Sequence, residues 1–167
     1  VRSHDMHKMD IPTTVKAIGR AGAGVNNIPV DRMSERGVPV FNAPGANANA
    51  VKELTLAGLL LAYRNICSAW EFARSLKGDD AELDKLTAAG KKQFVGMEMP
   101  GRTLGIIGLG AIGVQVANAA VNLGMKVVGY DPAITVRSAW MLSSQVQRAL
   151  SVDELFSRCD AVTVHVP

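Results

Sequence analysis

An α/β fold built on a doubly wound parallel sheet is what this sequence predicts, and three observations predict it. Residues Thr103 to Ile107 make a short apolar run of strand length. The run Gly108-Leu109-Gly110-Ala111-Ile112-Gly113 follows at once and opens an apolar helical stretch from Ala111 to Leu123. After Gly124 a second apolar strand, Lys126 to Tyr130, ends on Asp131. A G-x-G-x-x-G spacing is weak on its own. With strand, helix, second strand and terminal acid in order, it marks the first mononucleotide-binding half of a Rossmann-type sheet.

Each residue of that run has a physical task. Gly108 permits the tight turn out of the strand. Gly110 lacks a Cβ, so a diphosphate can approach the backbone, and Gly113 lets the helix pack closely on the strand. Unpaired N–H groups at the helix start favour anionic phosphate. Asp131 lies 18 residues past Gly113, near the roughly 20 expected for an acid that grips the adenosine ribose. A 2′-phosphate would meet like charge there, so NAD is favoured over NADP, with Arg137 the one nearby cation that counts against it. An ordinary tight turn would explain one or two of the glycines but not the acid at that distance.

The remaining elements follow in order. Val15 to Ile18 reads as a strand, and Gly19 to Asn27, with several glycines, as a loop able to present backbone N–H groups to an anion. Asn27 is expected to cap the next helix, with Pro29 in its first turn and Gly37 past its end. Val38 to Phe41 reads as another strand, and Asn42 to Asn49 as a crossing segment. From Ala50 the period is helical, apolar almost all round, which predicts a helix buried on most sides and running, with a bend, to Leu76. Asp80 is expected to cap a polar helix over Ala81 to Ala89. Beyond Asp131, Ala133 to Gln147 holds a short helix and a loop. Ser151 with Glu154 three residues on predicts a capped helix, and Ala161 to Val164 a third apolar strand.

Composition narrows the function classes. Of 167 residues, 48% are apolar and 20% charged, the balance of an ordinary globular domain, and the net charge of +3 is scattered. Without clustered basic and aromatic residues, no nucleic-acid surface is expected. The longest apolar run, Leu54 to Tyr63, is too short to span a bilayer, and no signal peptide is seen. The two cysteines, Cys67 and Cys159, have no framework spacing, which fits a reducing, cytoplasmic setting. His4 and His7 flank Asp5, but a metal site needs three or four ligands and no further cluster follows, so no metal is expected.

With these motifs in place, the chain resembles the D-isomer-specific 2-hydroxyacid dehydrogenases. The likeness runs over nearly all of it, through VRS at Val1 to Ser3, AIGRAGAGVNNIPVD at Ala17 to Asp31, GVPVFNAPGANANAVKELTLAGLLLA at Gly37 to Ala62, GRTLGIIGLGAIG at Gly101 to Gly113, GYDP at Gly129 to Pro132, and TVHVP at Thr163 to Pro167. The resemblance implies three parts: 1–45, the end of a flavodoxin-like substrate domain; 46–100, an interdomain helix and dimerisation arm; 101–167, the first half of an NAD-binding Rossmann domain. It implies oxidation of a 2-hydroxy acid with NAD, and within the family the closest likeness is to members acting on 3-phosphoglycerate, on the phosphorylated route to serine. Arg2 and Ser3, with Gly24, Val25 and Asn26, would bind substrate. Val51, Gly108, Gly110, Ala111, Ile112, Gly113, Asp131, Pro132, His165, Val166 and Pro167 would line the cofactor. A homodimer or higher homo-oligomer is implied. The family's catalytic arginine, glutamate and histidine have no match here, and His165 is not that histidine, so the expectation is a segment of a larger enzyme without turnover of its own. The alternatives are a dehydrogenase for another 2-hydroxy acid and an NAD-binding, non-catalytic corepressor-like protein.

Overall fold

The computed structural model describes residues 1–166, which fall into two compact units, Val1–Ala50 and Val51–Val166. The first unit is a β-α-β turn of chain: β1 (Ile18–Arg20), α1 (Val30–Glu35) and β2 (Val40–Asn42), with the strands parallel and Ile18 opposite Val40. Met6, Ile11, Ile18, Ile28, Met33 and Val38 make its core. Both strands lie about two residues later than the apolar runs suggest. The ladder sets the bounds: Ile18 donates to the Pro39 carbonyl at 2.9 Å, so pairing begins at that level and Val15 packs against the core outside the strand.

Asn27 is not the cap of α1. Pro29 holds that place and no side chain caps the helix; Gly37, at φ +65°, ends it as expected. Next comes α2 (Ala48–Tyr63), which starts two residues early and stops where Asn65 takes a left-handed φ of 51°; α3 (Ile66–Ser75) then sets off anew. The expected bend in a mostly buried helix is thus a full break between two helices. Leu59 and Tyr63 of α2 reach the core, while the stripe Leu54, Ala57, Gly58, Leu61 and Ala62 is exposed. α4 (Asp80–Gly90) is capped by Asp79 rather than Asp80, in a reciprocal capping box with Glu82.

The second unit carries a four-stranded, all-parallel sheet in the order β5-β4-β3-β6, from β3 (Thr103–Ile107), β4 (Lys126–Tyr130), β5 (Gln147–Arg148) and β6 (Ala161–Val164). Between β3 and β4 runs α5 (Ala111–Asn122), between β4 and β5 α6 (Val136–Met141), and between β5 and β6 α7 (Val152–Arg158). β5 was not foreseen: two residues are too few to show a period. Alternation on the strands assigns each face. Leu104, Ile106 and Val127 pack with Val114, Val116, Ala117 and Ala120 of α5, and Val128, with Ile107 and Tyr130, packs with Leu155 of α7. Two-sided cover of this kind is what a parallel sheet requires. Ser151 accepts from the Glu154 N–H as predicted, but the Glu154 carboxylate reaches back to the Leu150 N–H, one residue beyond the cap. Among the described residues no helix is long and apolar enough to cross a membrane.

Candidate cofactor and substrate sites

The sheet's carboxyl end is built around the glycine turn. Gly108 leaves β3 at φ +90°, a left-handed conformation natural to glycine, and a Cβ there would lie 2.6 Å from the His165 carbonyl oxygen. Gly113 sits in the first turn of α5 against the strand end; a Cβ on it would fall 1.9 Å from the Gly108 carbonyl oxygen. Gly110 differs. It is the N-cap of α5 in an extended conformation, and a Cβ there would meet nothing within 4 Å. No side chain caps the helix, so the amides of Ala111, Ile112 and Gly113 are left to another acceptor. Open space in front of uncapped helix-end amides fits the diphosphate of a dinucleotide.

Asp131 stands at the end of β4, beside that turn. Its Oδ2 accepts the Leu109 N–H at 2.8 Å and its Oδ1 accepts the Ala133 N–H at 2.8 Å. The acid thus holds the middle of the glycine turn as well as its own loop, a task that spacing did not reveal. Two carboxylate oxygens offer about four acceptor sites, so hydroxyls of a ribose can still be received. A cleft of about 270 Å³ opens here, lined by Leu109, Gly129, Asp131, Pro132, Leu142 and Arg148 among others. Arg148 was missed along with β5, whereas Arg137 lies on α6 and is not among the residues lining the cleft.

His165 follows β6. Its N–H donates to the Ile107 carbonyl at 2.8 Å, which seats it against the glycine turn, and its Nε2 lies 3.0 Å from the Thr163 hydroxyl. Burial pushes its imidazole below the ordinary histidine value. Val166 is exposed next to it, with a methyl 2.8 Å from where a Gly108 Cβ would be; Pro167 lies outside the described residues. Val51 is in the first turns of α2, where the Thr55 hydroxyl bonds its carbonyl.

In the first unit, the loop after β1 is fastened from both sides. Asn42 donates to the Ala23 carbonyl and the Ala43 N–H to the Gly22 carbonyl, which fixes the loop that leads into Gly24, Val25 and Asn26. Arg2 and Ser3 are exposed, and beside them the Val1 nitrogen donates to the Gly19 carbonyl. Arg20, at the end of β1, was not singled out from sequence. Its guanidinium folds over Gly22 and its Nε is buried without a partner. The signal was there, a cation in the first strand running straight into a glycine loop. Among the described residues no three histidine, cysteine or acidic side chains gather as metal ligands would.

Residues 58–167 match the family model for the NAD binding domain of the D-isomer specific 2-hydroxyacid dehydrogenases. The chain belongs to this family. A D-3-phosphoglycerate dehydrogenase of Methanocaldococcus jannaschii is 42% identical over 153 residues, 92% of this chain and 27% of that protein. The D-mandelate dehydrogenase of Rhodotorula graminis, in its apo form, superposes with a TM-score of 0.77 at 33% identity, over 94% of this chain and 44% of its own. A 3-phosphoglycerate dehydrogenase of Entamoeba histolytica with NAD+ bound gives 0.63 at 30% identity, over 93% and 40%. The chain spans about a quarter of the length of the curated relatives it matches. Its glycine turn, Gly108 to Gly113, lies inside the stretch matched to the family's NAD binding domain.

Proposed function

We propose that the chain is part of an NAD-dependent oxidoreductase that converts 3-phosphoglycerate to 3-phosphooxypyruvate. The observation that carries this is the uncapped start of α5 with its free approach at Gly110, together with relatives that share this stretch and act on that substrate by name. NAD, when bound, accepts the hydride. The chain's own residues bind and orient. The amides of Ala111 to Gly113 hold the diphosphate, Asp131 the adenosine ribose, and Pro132, His165, Val166 and Pro167 flank the adenosine half, with Val51 on the nicotinamide side. Gly24, Val25 and Asn26 present backbone N–H groups to the substrate carboxylate. Arg2, Ser3 and Arg20 receive the phosphate: a guanidinium matches phosphate oxygens in pairs, and a 2-hydroxy acid without a phosphate has only its carboxylate to offer, which the loop already takes.

The proton of the hydroxyl is not handled by this chain in our reading. His7 bonds the Asn26 carbonyl and His165 the Thr163 hydroxyl, and neither ring is backed by a carboxylate as the family's catalytic histidine is. The 167 residues are therefore expected to bind NADH but not to turn over, and parts 1–45, 46–100 and 101–167 to serve substrate, arm and cofactor. The bare stripe on α2 supports self-association: Leu54 is 74% and Leu61 40% exposed, too apolar to face water as a matter of course. A cytoplasmic homo-oligomer completes the proposal. The test is steady-state kinetics of the complete gene product with 3-phosphoglycerate, D-glycerate and D-lactate. A kcat/KM highest for 3-phosphoglycerate is expected; preference for a non-phosphorylated acid would overturn the substrate, and absence of turnover with all three would overturn the reaction.

A further inference from the structure

The segment that carries Arg2 and Ser3 belongs to no helix or strand, so something else must fix where Arg2 sits. Before it, the Val1 carbonyl accepts the Ala21 N–H at 2.8 Å; after it, Asn27 takes over. Its Nδ2 donates to the His4 carbonyl at 2.8 Å and reaches the Arg2 carbonyl at 3.5 Å. Its own carbonyl accepts the Met6 N–H at 2.8 Å. One residue before it, the Asn26 carbonyl lies 3.0 Å from His7 Nε2. From α1, the Arg32 guanidinium donates to the carbonyls of Met6 and Met9. The chain from Arg2 to Met9 is thereby laid against Asn26 and Asn27.

The side chain's chemistry matters as much as its place. Both Nδ2 contacts end on carbonyl oxygens, so only a donor will serve, and the isosteric aspartate has none at neutral pH. The other half of the amide makes no local use of itself: Oδ1 is buried without a partner. Buried acceptors are rarely left unpaired. Here the unpaired oxygen accompanies an amide turned so that its donor meets the Arg2 segment. Nor is the residue spent on a helix, since α1 has no side-chain cap.

We infer that Asn27 is a positioning residue for the substrate: it sets the separation between Arg2 and the Gly24-Val25-Asn26 loop, and so the length of anion that the two can hold at once. This rests on the reading that Arg2 takes the phosphate and the loop the carboxylate.

The experiment is kinetics of the complete gene product as wild type, Asn27→Asp, Asn27→Ser and Arg2→Gln, with NADH titration on each. For Asn27→Asp, which keeps the shape and removes the donors, KM for 3-phosphoglycerate is expected to rise about tenfold or more with kcat and NADH affinity near wild type, the pattern of lost ground-state positioning. Asn27→Ser, whose hydroxyl cannot span to both carbonyls, is expected to move KM the same way and carries the test should the aspartate variant not fold. Wild-type KM in either folded variant overturns the inference, as does a fall in kcat and NADH affinity together with an unchanged KM, the mark of a merely structural role. Arg2→Gln separates the two layers. If it raises KM while the Asn27 variants do not, only the positioning role is lost. If it leaves KM unchanged, the phosphate reading itself fails.

Discussion

Gly110 and Gly113 stand three residues apart in one motif, yet the structure gives them different reasons to be glycine. At Gly113 the missing Cβ would strike a backbone oxygen at 1.9 Å, so the fold itself excludes a side chain. At Gly110 the space is open, so nothing in the fold excludes one. The two should separate in experiment. Gly113→Ala is expected to lose on the order of 1–3 kcal/mol of stability, the usual penalty of overpacking. Gly110→Ser places a good N-cap on α5 and should keep or slightly raise the melting temperature, while its hydroxyl takes the amides a diphosphate needs and weakens NADH. Thermal melts beside NADH titrations decide both; equal loss of stability in the two variants would contradict the assignment.

Asp131 carries a second residue-scale prediction. Because its carboxylate holds the Leu109 N–H, truncation disturbs the turn and not only ribose recognition. Asp131→Ala should weaken NADH about tenfold or more, the scale of a lost hydrogen bond to a charged group, and should not produce an NADPH binder, despite Arg148 in the same cleft. Fluorescence titration with both nucleotides checks it; tight NADPH binding by the variant would show that the acid acts by charge alone. His165 adds a pH dependence. Its folded-state value is depressed by burial, so the unfolded chain takes up a proton first as pH falls. The stability of the neutral form is fully present above about 6.5, the ordinary histidine value, and is lost as pH falls from there through the folded value. Melting temperature should drop more steeply over that window in wild type than in His165→Gln; parallel profiles would argue that the ring is effectively in water.

At the scale of elements, what could be read beforehand depended on how locally each was determined. The strand-turn-helix-strand from Thr103 to Tyr130 appears in place because its signals are self-contained: apolar runs of strand length, a glycine turn, Gly124 at the helix end. The same holds for the Ser151 cap, where Ser151→Ala should cost about 1 kcal/mol, measurable by denaturant melts. β5 escaped because two residues paired to β4 leave no pattern. The strands of the first unit were displaced because their register answers to each other and not to their own hydrophobicity. A bend between Ala50 and Leu76 was legible, but its place at Asn65 and its depth are backbone geometry that the helical period does not announce. Asn27 read as a cap because asparagine before a helix usually is one; the carbonyls that recruit it lie 23 and 25 residues earlier in the chain.

At the scale of the whole molecule, the cofactor turn was the legible part of the site, since one contiguous stretch builds it. The proposed substrate residues were reached through family likeness, and Arg20 was passed over although a cation running straight into a glycine loop was the signal for it. α2 poses the same problem in reverse. Its period read as a helix buried on most sides, whereas the stripe through Leu54 and Leu61 is exposed. Leu54→Glu with Leu61→Glu is expected to convert an oligomer to a smaller species by light scattering with the NADH site intact; an unchanged mass would place the contact elsewhere.

The central claim is that backbone amides at the start of α5 hold a dinucleotide's diphosphate while Asp131 receives its ribose. A crystal structure of the protein with NAD bound measures this directly. Diphosphate oxygens are expected within hydrogen-bond distance of the Ala111 to Gly113 amides, and a ribose hydroxyl on the Asp131 carboxylate. A nucleotide seated elsewhere, with those amides bonded to water, would contradict it.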